Sequence, residues 1–379
     1  MNSLRDIVEL SPQLRVIETQ ATYGLQGQDA VQPLAPPRWD WSEVRKVLLV
    51  RLRSIGDTVL ATPSLFALKR FLPNVWVDIL VEDWVAPLVN NHPHLDNVVV
   101  LDRGGFMTRA RLARELRAAN YDVVYNLHGG TTATFLTRAT GARHRVGFET
   151  YQYAQLHNHQ APSPSLLWGQ QKAHSVEQQL ALLGWTGVPV TDRPRTQLGI
   201  SAPATEAVKR LLAESGLSDE KFALIHPAAA FATKQWAVEN FARIAEFLAE
   251  RGFASVAIAA PNEKPLLEKL RSDASVKIDI FDLTLPEVTA LAAQSQLFVG
   301  NDSGIAHIAA AVGTPAVVIF GSSNIAHWRP WNSAPAEVVF EEMPCQPCHG
   351  YSCEKFDQPE CILRVPVTRV TAAIDRILS

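Results

Sequence analysis

What most constrains this chain is a rhythm stated twice. Short runs of β-branched residues and leucine alternate with longer amphipathic stretches. The first round predicts strands at 46–51, 75–81, 98–101 and 123–127, with helices over 58–71, 83–90, 107–119 and 131–140. The second predicts strands at 222–226, 255–260, 297–300 and 316–320, with helices over 238–251, 262–271, 286–294, 303–312 and 365–378. Strands separated by helices cannot close hairpins. They pair in parallel through crossovers and need cover on both faces. Between the rounds, residues 150–200 carry Pro162, Pro164, Pro189 and Pro194 and read as a variable region with an inter-domain linker. The expected organisation is an irregular extension over 1–40 and an α/β unit over 41–195. A second α/β unit follows over 196–365, and a terminal helix over 366–379 packs back on the first unit. Open parallel sheets bind ligands at the carboxyl ends of their strands, so the cleft between the units is the expected site.

Composition narrows the class. The 379 residues are 47% hydrophobic and 19% charged, an ordinary globular balance. A net charge of −3 provides no overall positive field, so no nucleic-acid partner is expected. The longest apolar stretches fall far short of the ~20 residues that span a bilayer. The N-terminus, Met1-Asn2-Ser3-Leu4-Arg5-Asp6, has no secretory apolar core, so a cytoplasmic location is expected. No GxGxxG follows the first strand, and GxxxxGK[ST], GxSxG and HExxH are missing, which counts against hydride transfer, P-loop chemistry and serine hydrolysis.

Four segments carry residues suited to chemistry. Arg51-Leu52-Arg53-Ser54-Ile55-Gly56-Asp57 leaves the first strand and opens a helix. Asp57 there is either a helix cap or a catalytic carboxylate, and Arg51 and Arg53 beside it favour an ionised acid or an anionic substrate. Asn301-Asp302-Ser303-Gly304-Ile305-Ala306-His307 places free N–H groups at a helix start, a natural phosphate seat, with His307 one turn deeper on the same face as Ser303. The plain alternative is Asp302 as a cap and His307 as a packed side chain. The loop after His226 offers small Ala229 and Ala230, then Lys234, a charge suited to a diphosphate or simply solvated. Glu263, beyond the strand at 255–260, is placed to accept from ribose hydroxyls or to begin a helix.

In this order the segments resemble glycosyltransferase family 9, the bacterial ADP-heptose:lipopolysaccharide heptosyltransferases. The likeness lies in Val47 to Pro63, in Tyr121-Asp122-Val123-Val124-Tyr125-Asn126-Leu127-His128-Gly129, and in Thr140-Gly141-Ala142-Arg143 with Val146-Gly147-Phe148. It continues in His226-Pro227 with Lys234-Gln235-Trp236 and in Gly300 to His307 through Gly313-Thr314-Pro315. The resemblance implies a GT-B fold, two Rossmann-like domains facing across a cleft. It implies an inverting, metal-independent transfer of heptose from ADP-heptose to the lipopolysaccharide inner core. By the same resemblance Asp57 is the general base, while Lys234, Glu263, Asp302, Ser303, Gly304, His307, Ala229 and Ala230 hold the donor. Ala229 and Ala230 stand where some members carry hydroxyl residues. The alternatives are a relative using another nucleotide sugar or a protein acceptor, a sugar-nucleotide-binding module without turnover, and a sugar-nucleotide epimerase.

An acidic glycolipid acceptor needs cations. Arg51 and Arg53 beside Asp57 are candidates, as are Arg111 and Arg114, which lie in a stretch over 103–117 that also holds Arg103, Arg109 and Arg117 against Asp102 and Glu115. The same basic face suits the inner membrane surface, or is simply a solvated helix. Cys345, Cys348, Cys353 and Cys361 have the grouping of a metal knuckle for zinc or iron, with His349 as a competing ligand, or are reduced or locally disulfide-paired cysteines.

Overall fold

The computed structural model describes residues 30–332, 334–348 and 351–379. The first round of the rhythm becomes β1 (Lys46–Val50), α1 (Ile55–Phe71), β2 (Trp76–Glu82), β3 (Asn97–Leu101), α2 (Phe106–Ala118), β4 (Val123–Asn126), α3 (Thr131–Ala139), β5 (His144–Phe148), β6 (His159–Ala161), α4 (Pro164–Trp168) and α5 (Ser175–Trp185). The second becomes α6 (Ala202–Glu214), β7 (Phe222–His226), α7 (Val238–Ala249), β8 (Ala254–Ala257), α8 (Lys264–Asp273), β9 (Ile278–Ile280), α9 (Leu285–Gln294), β10 (Leu297–Asn301), α10 (Gly304–Ala311), β11 (Ala316–Phe320), α11 (Ile325–Trp328), β12 (Ala336–Phe340), α12 (Glu360–Leu363) and α13 (Val367–Leu378).

Each half holds a six-stranded sheet, ordered β3-β2-β1-β4-β5-β6 and β12-β11-β10-β7-β8-β9, with every pairing parallel. Both orders reverse direction at the centre, between β1 and β4 and between β7 and β10. Ligands bind at such switch points, because the crossovers on either side leave in opposite directions and open a crevice. Val47, Leu48, Leu49 and Val50 are wholly buried, as expected of a strand covered on both faces.

The local reasons are specific. Pro63 lies inside α1 and removes the N–H that would bond Val59 O; Thr62 Oγ1 donates to that carbonyl instead, at 2.7 Å. Eleven of the helix's seventeen residues are buried, because α1 is packed against α5 and α10 as well as its own sheet.

Several expectations changed on folding. The helix over 83–90 is only a 3-10 turn, Ala86–Leu88. Pro87 and Pro93 supply no N–H, and Pro93 also disfavours helical geometry at His92. The irregular 150–200 segment contains α5, and ten of its eleven residues are buried, so it shows no polar face to betray the helix. The terminal helix α13 lies on the second sheet, not the first. Val370, Ala373 and Ile374 join the core with Val317, Ile319 and Val339, and Arg376 pairs with Glu337 at 3.1 Å. Of the N-terminal extension, 1–29 lie outside the described residues. Residues 30–40 strap the first half, with the N–H groups of Leu34 and Ala35 both donating to Gly184 O.

Candidate functional site

The two sheets point their central carboxyl ends at one another, and α1 and α10 start there. Their N-termini meet through two glycines. A Cβ on Gly56 would lie 2.7 Å from His307 Cδ2, and one on Gly304 would lie 2.7 Å from Ile55 Cβ. Only glycine permits this approach. It brings Asp57, on the first half, beside Ser303, Gly304 and His307 on the second.

Asp57 is the third residue of α1, not its N-cap. Ser54 is the cap, and its N–H and Oγ both donate to Asp57 Oδ2, at 3.2 and 3.1 Å. Arg51 donates to Asp57 Oδ1 and, through its other amino group, to Leu127 O. The carboxylate is thus held in a fixed direction by a cap and a guanidinium, while its side chain keeps 21% exposure. Among the described residues, three buried polar atoms around it have no hydrogen-bond partner: Arg51 Nε, His128 Nδ1 and His307 Nδ1. Buried polar atoms are normally satisfied, so each of these three is free to meet a polar group that enters beside Asp57.

The histidines are held neutral. Burial pushes His128 down to about 4, with Arg51 also lowering it and Asp57 opposing. Burial lowers His307 too, against the pull of Asp302 and Asp57. His226 is pushed to about 4 by burial alone. A neutral imidazole donates from one nitrogen and accepts at the other, so each can serve a phosphate or a sugar hydroxyl.

On the second half, β10 ends at Asn301, whose side chain ties the strand to the loop after β7. Its Nδ2 donates to Pro227 O at 2.7 Å and its Oδ1 accepts from Trp236 N–H at 3.2 Å. Lys234, expected as a mobile cation, pairs with buried Asp302 at 2.9 Å, and Ser323 Oγ donates to the same carboxylate oxygen at 2.5 Å. Asp302 thus holds the lysine rather than capping α10; Ser303 is the N-cap, with Oγ 3.2 Å from His226 Nδ1. Ala229 is buried and its carbonyl accepts from Gln235 Nε2 at 2.6 Å, while Ala230 is exposed. Glu263 accepts from Ala260 N–H at 3.0 Å, in a capping position just beyond β8.

The expected acceptor arginines separate. Arg53 lines a concavity of about 470 Å³ with Glu82, Trp84, Leu101, Asp102, Arg103, Gly104 and Arg109. Arg111 and Arg114 do not. Arg111 pairs with Asp102 at 3.2 Å, and Arg114 Nε donates to Ala110 O in its own helix at 3.3 Å. Trp84, Arg103 and Arg109 stand in their place, and Trp84 Nε1 donates to Glu82 at 2.9 Å. The signals that reasoning from sequence passed over were Trp84 after a strand end and His128 within a motif already singled out.

The four cysteines are free thiols. Burial, with Cys348, Cys345 and Cys353 nearby, pushes Cys361 up to about 11, which disfavours its thiolate. Among the described residues, no three His, Cys, Asp or Glu side chains are gathered to hold a metal ion, and His349 lies outside them. The donor types suit zinc or iron, and Cys345, Cys348 and Cys353 lie near enough to Cys361 to raise its thiol.

The sequence profile of Glycosyltransferase family 9 (heptosyltransferase) matches residues 109–356. Lipopolysaccharide heptosyltransferase 3 of Escherichia coli K12 is 29% identical over 345 residues, covering 86% of this chain and 96% of its own. Lipopolysaccharide heptosyltransferase 1 of Pseudomonas aeruginosa is 23% identical over 373 residues, covering 88% and 98%. The Escherichia coli ADP-heptose lipopolysaccharide heptosyltransferase II structure superposes with a TM-score of 0.73 at 20% identity, covering 88% of this chain and 98% of that one. The family 9 glycosyltransferase of Veillonella parvula gives 0.71 at 20% identity, covering 78% and 85%. These likenesses, with the two facing sheets, make the architecture GT-B.

Proposed function

The chain belongs to glycosyltransferase family 9, and from that premise we propose that it moves heptose from ADP-heptose to a hydroxyl of the lipopolysaccharide inner core, with inversion. The observation that supports this is the Gly56–Gly304 contact, which sets a fixed, partly exposed carboxylate near the N-terminus of α10. Asp57 is the general base. It takes the acceptor's proton as the oxygen bonds the anomeric carbon from the face opposite the departing diphosphate. Arg51 and Ser54 keep the carboxylate aimed, so no reorientation is needed during reaction.

The leaving ADP gathers charge on its diphosphate. The N–H groups at Ser303 and Gly304 meet that charge, with His307 as a neutral donor and Lys234 swinging from Asp302 to the phosphate, so that catalysis needs no divalent cation. Ala229 and Ala230 let the nucleotide approach the backbone, and Glu263 receives the ribose hydroxyls. The acidic acceptor occupies the concavity of Arg53, Arg103, Arg109 and Trp84, where an indole face suits a sugar and guanidinium groups suit its anionic substituents. Such an acceptor places the enzyme at the cytoplasmic side of the inner membrane; among the described residues no helix is long and apolar enough to cross it.

Thermal-shift titration with ADP-, UDP- and GDP-sugars, then mass analysis of products, tests the assignment. ADP-heptose is expected to stabilise the protein and to extend a core acceptor by one heptose. Asp57→Ala is expected to keep ADP binding and lose turnover by ~10²–10⁴-fold. Stabilisation by UDP- or GDP-sugars but not ADP-sugars rejects the donor; turnover that survives in Asp57→Ala rejects the base. A structural zinc or iron at Cys345, Cys348, Cys353 and Cys361 rests on spacing alone, and substoichiometric metal in protein purified without chelator rejects it.

A further inference from the structure

The segment between β3 and α2 stands out from the body of the first half. Residues 102–107 are all exposed, and at its end Phe106 and Met107 are 82% and 72% exposed. Two large apolar side chains in sequence at the first turn of a helix normally face a core. Here α2 buries only Leu112 and Leu116, and Phe106 and Met107 belong to none of the apolar clusters. Behind them the helix is basic. Arg103 lies 3.5 Å from Asp83 and Arg111 pairs with Asp102 and Glu115, while among the described residues Arg109, Arg114 and Arg117 form no ion pair.

An isolated apolar tip backed by arginines lacks the area of a packed protein interface, which buries ~800 Å² per partner. It has what a bilayer surface asks for: two side chains to insert at the headgroup level and a cluster of cations for anionic headgroups. Arg103, Gly104 and Arg109 of this same segment line the acceptor concavity.

We propose that the tip at Phe106 and Met107, with the arginine face of α2, docks this protein on an anionic bilayer and sets the acceptor concavity against the headgroups. This rests on the reading of the acceptor as a membrane-anchored glycolipid. Docking lets the enzyme search for acceptor in two dimensions.

Flotation of the full chain with vesicles tests it. Binding is expected to mixed phosphatidylglycerol–phosphatidylcholine vesicles and not to phosphatidylcholine alone, and to weaken as salt rises. F106S/M107S, both at exposed positions, is expected to lower vesicle binding about tenfold or more while leaving melting temperature and ADP binding unchanged. R114E/R117E is expected to abolish the preference for anionic vesicles. Transfer to a delipidated, water-soluble core oligosaccharide is expected to be the same in F106S/M107S and the parent, while transfer to acceptor embedded in vesicles falls. Vesicle binding without transfer to either acceptor would sink the proposed function and leave docking standing. Equal vesicle binding by parent and F106S/M107S overturns the docking proposal. So does a parent dimer that F106S/M107S converts to monomer, since the tip would then be covered by a second copy.

Discussion

Substituting alanine for Gly56 tests the contact on which the site depends. The new Cβ would sit 2.7 Å from His307 Cδ2, inside the 3.0 Å that real Cβ contacts essentially never breach. His307 is only 5% exposed, so its ring is held among packed neighbours. Overpacking of this kind costs about 1–3 kcal/mol. Replacing glycine in a helix returns up to about 1 kcal/mol, so the net loss is about 0–2 kcal/mol. A double-mutant cycle separates the two. His307→Ala removes the obstructing ring, so Gly56→Ala should be harmless or stabilising in that background, and the coupling should equal the steric cost, about 1–3 kcal/mol. Chemical denaturation of the four proteins measures it. Thermal melts follow: unfolding entropy scales with length, so 2 kcal/mol corresponds to a shift of about 2–3 °C for a chain of this size. Gly105→Ala is the control, since a Cβ there meets nothing within 4 Å. A coupling within about 0.3 kcal/mol of zero would mean that α1 and α10 do not touch in solution, and the assembled site would fall with them.

Three further outcomes follow from the same geometry. Lys234→Met strands the buried Asp302 carboxylate and is expected to cost about 3 kcal/mol of stability in urea titration and to weaken ADP binding about 10–100-fold by calorimetry; unchanged ADP affinity would remove the lysine from the donor site. His226 titrates at about 4 in the fold and near 6.5 unfolded, so as pH falls below 6.5 only the unfolded chain gains its proton. Stability then drops by about 1.4 kcal/mol per pH unit on account of this one group, and His226→Asn should flatten the stability–pH curve by that slope between 6.5 and 4. Trp84→Ala is expected to raise the acceptor KM about tenfold or more and leave ADP binding unchanged in parallel titrations; an unchanged KM would take the acceptor out of that concavity.

Much of this molecule was written locally. The apolar runs at 46–51, 222–226 and 316–320 form strands because a segment buried on both faces needs little beyond β-branched and leucine side chains. Ser303 and Gly304 announce a helix start because capping depends on residues within one turn. Asp57 was legible as an acid at a helix N-terminus for the same reason. Only the folded chain decided that Arg51 would grip it, that Lys234 would rest on Asp302, and that Gly56 would meet Gly304. The concavity drew on Trp84, Arg103 and Arg109 and left Arg111 and Arg114 outside because the β2 end and the turn before α2 converge there. The sequence hid α5 because a helix buried on every side has no period to read, and it could not say which sheet α13 would cover. Propensity and periodicity act over a turn or a strand, whereas Lys234 and Asp302, or Gly56 and Gly304, lie tens to hundreds of positions apart, and only packing in three dimensions selects such pairs.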